Sequence, residues 1–206
     1  MFEHEYPYRG NGNIEPVPQA SRTIRPALLD PQISLFGGVC DDMFQSFKQQ
    51  LRKALDGYSE IAVELSTNGG DADTARRIAD EVRLCREYRG RELLFVGKSF
   101  VYSAGITIMS GFEKECRYLT KDCHLLIHSR RLDKHVHFSG PLSSNVQIAE
   151  EMLAQLKSGL DLENEGFRRL AAGSNIGFAE IQKRAAHNWY LRAEEALELG
   201  LVEGLV

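Results

Sequence analysis

The chain has 206 residues, with 25 Lys and Arg against 29 Asp and Glu for a formal charge of −4, and 43% of it is hydrophobic. That length suits one sizeable core, and that composition excludes a wholly disordered chain. A mildly acidic balance offers no basic stripe for nucleic acid, and no apolar run approaches the roughly 18 residues that a membrane-spanning helix needs.

Prolines 7, 16, 18, 26 and 31 crowd the beginning of the chain, together with Gly10 and Gly12. Proline fixes φ and removes a backbone donor, so residues 1–32 are expected to form an extended or mobile arm, with the folded body over 33–206. Glu3, Glu5 and Tyr6 stand where a signal peptide would be basic and then apolar. Cys40, Cys85, Cys116 and Cys123 are far apart and form no CxxC pair. A reduced, cytoplasmic setting is the expectation.

Ile33–Phe36 is the first expected strand, closed by Gly37 and Gly38. Asp41 or Asp42 can cap a helix in which Phe44, Phe47, Leu51 and Leu55 recur at helical spacing. Ile61, Val63 and Leu65 alternate as in a strand, Asn68-Gly69-Gly70 breaks it, and Ala75, Ile78, Ala79 and Val82 form the stripe of a second helix. Leu93–Val96 is a continuous apolar run, as in a strand covered on both faces, with Gly97 expected to end it. A helix can open at Ala104, and Cys116–Leu119 and Leu125–Ile127 are further strands. A long helix is expected from about Ser143 to Ala171, with Val146, Ala149, Leu153, Leu156 and Leu160 on one side. Helices over 178–187 and 194–199 complete the pattern. Strands alternating with helices indicate an α/β domain.

Two glycine-containing breaks follow strands, Ser66–Gly70 and Gly97–Gly105. Ligands of α/β sheets sit beyond the carboxyl ends of strands, where such loops gather. Ser103, before Ala104-Gly105, has the position of a serine exposed on a strand-to-helix turn, with backbone N–H groups near enough to hold an oxyanion. Taken alone it reads more readily as a helix N-cap, with the glycines as mere turns. His128 follows the run Leu125–Ile127, and a strand end can project an imidazole into a site. His124, His135 and His137 add no Cys or carboxylate at a metal-binding spacing, so no metal site is expected.

Ser66–Asp71, Gly97–Gly105, His124–Ser129 and Tyr190–Glu203 together resemble the proteolytic subunit of the ATP-dependent Clp protease, the ClpP-like serine peptidases. In that family a Gly-Gly loop gives oxyanion donors, a Ser-Met-Gly segment the nucleophile and a Met-Ile-His segment the base. The resemblance runs from about Ile33 to Val202. It implies Ser103 as nucleophile, His128 as general base, and the N–H groups of Gly70 and Ala104 as the oxyanion hole. It also implies a crotonase-like spiral of β-β-α units, and a projecting helical handle over about 140–172 that meshes stacked rings of subunits around unfolded polypeptide substrate. The long apolar stripe after Ser143 agrees with such a handle. No metal or organic cofactor is implied, since acyl transfer of this kind needs none. An ATP-dependent unfoldase is the implied partner, although the proline-rich arm shows no clear match to the family's own.

The family's third catalytic residue, an aspartate, is replaced here by Asn188. A neutral amide can orient a histidine but does not stabilise imidazolium by charge, and in a Ser–His–Asp template that exchange costs about 10⁴ in rate. A slower Ser-His-Asn peptidase, another carboxylate such as Asp133 or Asp161, and a noncatalytic ring subunit all remain open. An acyl-CoA enzyme of the wider crotonase superfamily is a further rival, disfavoured by the Ser103–His128 pairing. Tyr102 stands where the family has a small residue and is expected to narrow the substrate cleft.

Overall fold

The computed structural model describes residues 25–206. Most of the expected arm, 1–24, lies outside the described residues. Of its remainder, Pro26–Leu29 is a short helix, α1, with proline at the start, where no N–H is needed, and Leu28 buried on the sheet.

The remaining elements follow as β1 (Ile33–Phe36), α2 (Asp41–Gly57), β2 (Ile61–Thr67), α3 (Ala72–Arg89), β3 (Leu93–Tyr102), α4 (Ala104–Met109), β4 (Arg117–Leu119), β5 (His124–Ile127), α5 (Leu142–Ala171), α6 (Phe178–Ala185), β6 (Trp189–Arg192), α7 (Ala193–Glu198) and β7 (Gly204–Leu205). Met43, Phe47, Leu51 and Ala54 form the buried stripe of α2. Its N-cap is Cys40, without a side-chain hydrogen bond; Asp41 and Asp42, expected as caps, sit in the first turn, where carboxylates favour the positive end of the helix. Asp71 caps α3 by accepting the Thr74 N–H at 2.6 Å, and the hydrogen bonds from Thr74 hold its carboxyl below the usual range.

The sheet runs β1-β2-β3-β4-β7 in parallel, and β5 joins the far half of β3. β6 pairs with β5 and is antiparallel to it. Gly97 does not end β3, as its sequence position had suggested. It pairs with Leu119 of β4, and the strand then continues, changing partner, until Phe100, Val101 and Tyr102 pair with β5. A Cβ on Gly97 would lie 2.6 Å from Leu119 Cδ2 and 2.9 Å from Val101 Cγ2, so the glycine serves close packing at the fork. Cys116 likewise belongs to a 3₁₀ turn before β4.

Arg117 of β4 is 2% exposed, and no carboxylate among the described residues is bonded to it. Its guanidinium donates to the carbonyls of Phe112, Leu170, Leu201 and Arg169 at 2.9, 3.3, 3.4 and 3.1 Å. Leu170 and Arg169 lie in the last turn of α5, whose carbonyls lack helical partners, so this cation fastens the base of the long helix to the sheet. Burial pushes its pKa down to about 10, which leaves it charged at neutral pH. Arg117→Met strands these carbonyls. We expect a loss of roughly 3 kcal/mol or more, a fall in Tm of about 6–12 °C for a domain of this size, read by thermal melting.

Helix α5 has 30 residues, about 45 Å, yet only Phe167 and Leu170 near its end are buried. Leu142, Val146, Leu153 and Leu160 are 83%, 55%, 51% and 57% exposed. Its first two-thirds thus present an uncovered apolar stripe. No helix among the described residues is long and apolar enough to cross a membrane.

Candidate active site

β3 and β5 bring Ser103 and His128 to one edge. Tyr102 pairs with Leu126, and the Ser103 N–H donates to the Leu126 carbonyl at 2.9 Å. His128 follows two residues later, just beyond the end of β5. Both side chains line one cavity of about 50 Å³, open between α3, α4 and α5. Ser103 has φ 55° and ψ −114° between the last residue of β3 and the first of α4. That is a conformation which L-residues hold only when their surroundings enforce it, and it fits a strained strand-to-helix turn that presents a hydroxyl. A Cβ on Gly69 would fall 2.7 Å from Ser103 Cβ, so only glycine lets the two loops meet.

Gly70 is fixed beside Val39 in an isolated parallel bridge. There the Val39 N–H donates to the Gly69 carbonyl at 2.9 Å, and the Asp71 N–H donates to the Val39 carbonyl at 2.8 Å. These bonds leave the Gly70 N–H outside the bridge. With φ 146° and a would-be Cβ only 2.4 Å from the Val39 carbonyl oxygen, the position demands glycine. Ala104 is the first residue of α4, so its N–H has no helical acceptor.

His128 Nδ1 lies 2.7 Å from the Ser129 carbonyl oxygen. A carbonyl only accepts, so Nδ1 carries a proton, and in the neutral ring the lone pair then falls on Nε2, the tautomer a general base needs. Ser103 and His128 are not hydrogen-bonded to each other, a common state of such pairs without substrate.

Asn188 stands near His128 by register, but its amide oxygen is bonded elsewhere. Trp189 pairs with Ile127, and one further step of that antiparallel register sets Asn188 opposite His128. The Asn188 amide oxygen, however, accepts from the Arg131 guanidinium at 3.1 Å. Its φ of 55° lies in the left-handed region that Asn and Asp enter most readily. Asp133 and Asp161 are exposed and do not line the cavity; the carboxylate that does is Glu163 of α5, which accepts the Arg130 N–H. Sequence reading missed Glu163, Arg76 and Arg130, which three separate segments deliver. Tyr102 does not line the cavity either: its ring packs 5.5 Å from that of Phe100 and 6.0 Å from that of Tyr190. Cys85, Cys116 and Cys123 are buried free thiols pushed up by burial, the last two to about 12, so none competes as a nucleophile.

The family model of the Clp proteases matches residues 18–206. The chain belongs to the Clp protease family. It is 24% identical over 179 residues to the ATP-dependent Clp protease proteolytic subunit 2 of Treponema pallidum, covering 85% of this chain and 81% of that protein. Against the subunit 2 of Pseudomonas aeruginosa the identity is 26% over 182 residues, covering 87% and 83%. Among solved structures, an Asn-to-Asp mutant of ClpP1 from Listeria monocytogenes superposes with a TM-score of 0.68 at 19% identity, covering 87% of this chain and 92% of that one. The fold is thus the ClpP-like α/β fold expected from the sequence, and the Clp family membership makes the chain a ClpP-like protease subunit.

Proposed function

We propose that this chain is a cytoplasmic serine endopeptidase subunit that cleaves unfolded polypeptide through an acyl-enzyme, inside a chamber built from its own copies. The observation that carries this reading is Ser103, held at positive φ on the β3–α4 turn against Gly69, with His128 in the same cavity. His128 Nε2 takes the hydroxyl proton as Ser103 Oγ attacks the scissile carbonyl. The N–H groups of Gly70 and Ala104 receive the oxyanion, and His128 returns the proton to the leaving amine. Water then repeats the sequence to release the acyl group. No metal or organic cofactor takes part. The Ser129 carbonyl supplies the orientation of the imidazole, and Asn188, opposite it, would share that role by accepting from Nδ1 with the second lone pair of its amide oxygen, beside the bond from Arg131. The decisive test is labelling of the purified protein by a fluorophosphonate, compared with Ser103→Ala.

The uncovered stripe of α5 supports a homo-oligomeric ring, because apolar surface on that scale associates in water. Light scattering is expected to give a mass several times 23.2 kDa, and Leu153→Glu together with Leu160→Glu is expected to lower it. The relatives are named as subunits of an ATP-dependent protease, and by that likeness an ATP-dependent unfoldase would feed the chamber. The bond between Asn188 and Arg131 favours one second reading, a ring subunit without catalytic activity; absence of labelling would select it.

A further inference from the structure

We infer that the cavity beside Ser103 receives a short acidic side chain of the substrate at P1, the residue whose carbonyl is attacked, and that Arg76 selects it. This rests on the reading of Ser103 as the nucleophile. The cavity has apolar walls from Ile106, Ile127 and Phe167 and three ionic residues, Arg76, Arg130 and Glu163. Two of those three are cations.

The three differ in how far their bonding capacity is already used. Glu163 accepts the Arg130 backbone N–H. The Arg130 guanidinium donates to Asp73 at 3.0 Å. Arg76 makes no hydrogen bond among the described residues; its nearest anion is the same Asp73, at 4.0 Å, shared with Arg130, 65% exposed and outside the cavity lining. A screened, shared carboxylate at that distance satisfies little of a five-donor guanidinium. Arg76 therefore brings an unspent planar donor fork to an apolar-walled recess, where a carboxylate can be held bidentately and water is thinned around the pair.

Size narrows the choice further. A water needs about 10–15 Å³ of such volume, so about 50 Å³ admits roughly four non-hydrogen atoms. Aspartate and leucine side chains both have that number, whereas aromatic rings exceed it. Charge then decides between them, and the fork of Arg76 prefers aspartate.

The test uses the full chain and peptidyl phosphonate esters that differ only at P1, as Asp, Leu or Lys, with the rate of Ser103 modification followed by intact mass. Modification by the Asp reagent is expected to be about tenfold or more faster than by the Leu reagent, the usual worth of a hydrogen bond to a charged group. In Arg76→Gln that ratio should fall to near one, and in Arg76→Lys it should be partly kept. Ratios are taken within each protein, so a general loss of reactivity cancels. A preference for Leu that Arg76→Gln leaves unchanged overturns the inference, as does a preference for Lys that Glu163→Gln removes. A simple fluorophosphonate run alongside separates the two failures. If it labels Ser103 while the P1 preference is not acidic, only the specificity is wrong; if it does not label Ser103, the peptidase reading fails and takes the specificity with it.

Discussion

Ser103→Ala is expected to reduce fluorophosphonate labelling to background, a loss of at least about 10³-fold. The reagent needs an oxygen nucleophile made basic by a neighbour, and of the cavity's three hydroxyl residues, Ser103, Thr107 and Ser110, only Ser103 stands on the strained turn against Gly69. The Ser110 hydroxyl donates to the Thr107 carbonyl at 2.8 Å, and the buried thiols are held protonated. The exchange removes one atom from a half-buried site, and alanine meets the same positive φ that serine already tolerates, so melting should move by less than about 1 kcal/mol's worth. A lost signal in a folded protein is therefore chemical in origin. His128→Ala tests the other half of the pair. Removing a general base typically costs 10²–10⁴, so labelling should slow by about that factor and not vanish, since the oxyanion donors remain. Undiminished labelling of Ser103→Ala would mean that the reactive serine lies elsewhere.

His128 was legible because it stands directly after an apolar strand, and Ser103 because it closes a glycine-containing break before Ala104-Gly105; the carboxyl ends of parallel strands are where an α/β sheet presents its chemistry. The glycines of the Gly69-Gly70 loop were legible for the same reason. What remained hidden depends on contacts between distant segments. Gly97 reads locally as a strand breaker, and only Leu119, reached through another strand, shows that it is a packing position. β6 has a single buried residue, Leu191, so its four residues carry no alternation strong enough to announce a strand; the partner β5 creates it. Arg76, Arg130 and Glu163 have no local pattern at all, since a helix, a loop and the long helix bring them together. Asn188 was found through the family's motif, but its bond to Arg131 depends on side-chain geometry that no motif records.

That bond changes what should follow from restoring the family's aspartate. An anion opposite His128 lowers the energy of the imidazolium formed when the serine proton is taken, where an amide cannot. At a cross-strand separation of about 6 Å the attraction is ~0.7 kcal/mol in a water-like medium and ~2.8 kcal/mol at an effective dielectric of 20, or about threefold to a hundredfold in rate. In Asn188→Asp alone the new carboxylate would pair with Arg131, which already donates to this position at 3.1 Å. A cation beside the anion cancels much of its field, so labelling should quicken by only about threefold or less. Adding Arg131→Ala leaves the carboxylate free for His128 Nδ1, in competition with the Ser129 carbonyl, and labelling should then quicken about tenfold. Arg131→Ala by itself leaves the amide neutral and should change the rate little. Rates for all four proteins at one pH, with melting curves to establish folding, form the cycle. A tenfold gain in the single Asn188→Asp protein would show that Arg131 does not restrain this position. No gain even in the double variant would mean that Asn188 does not act on His128, and that the Ser129 carbonyl alone orients the base.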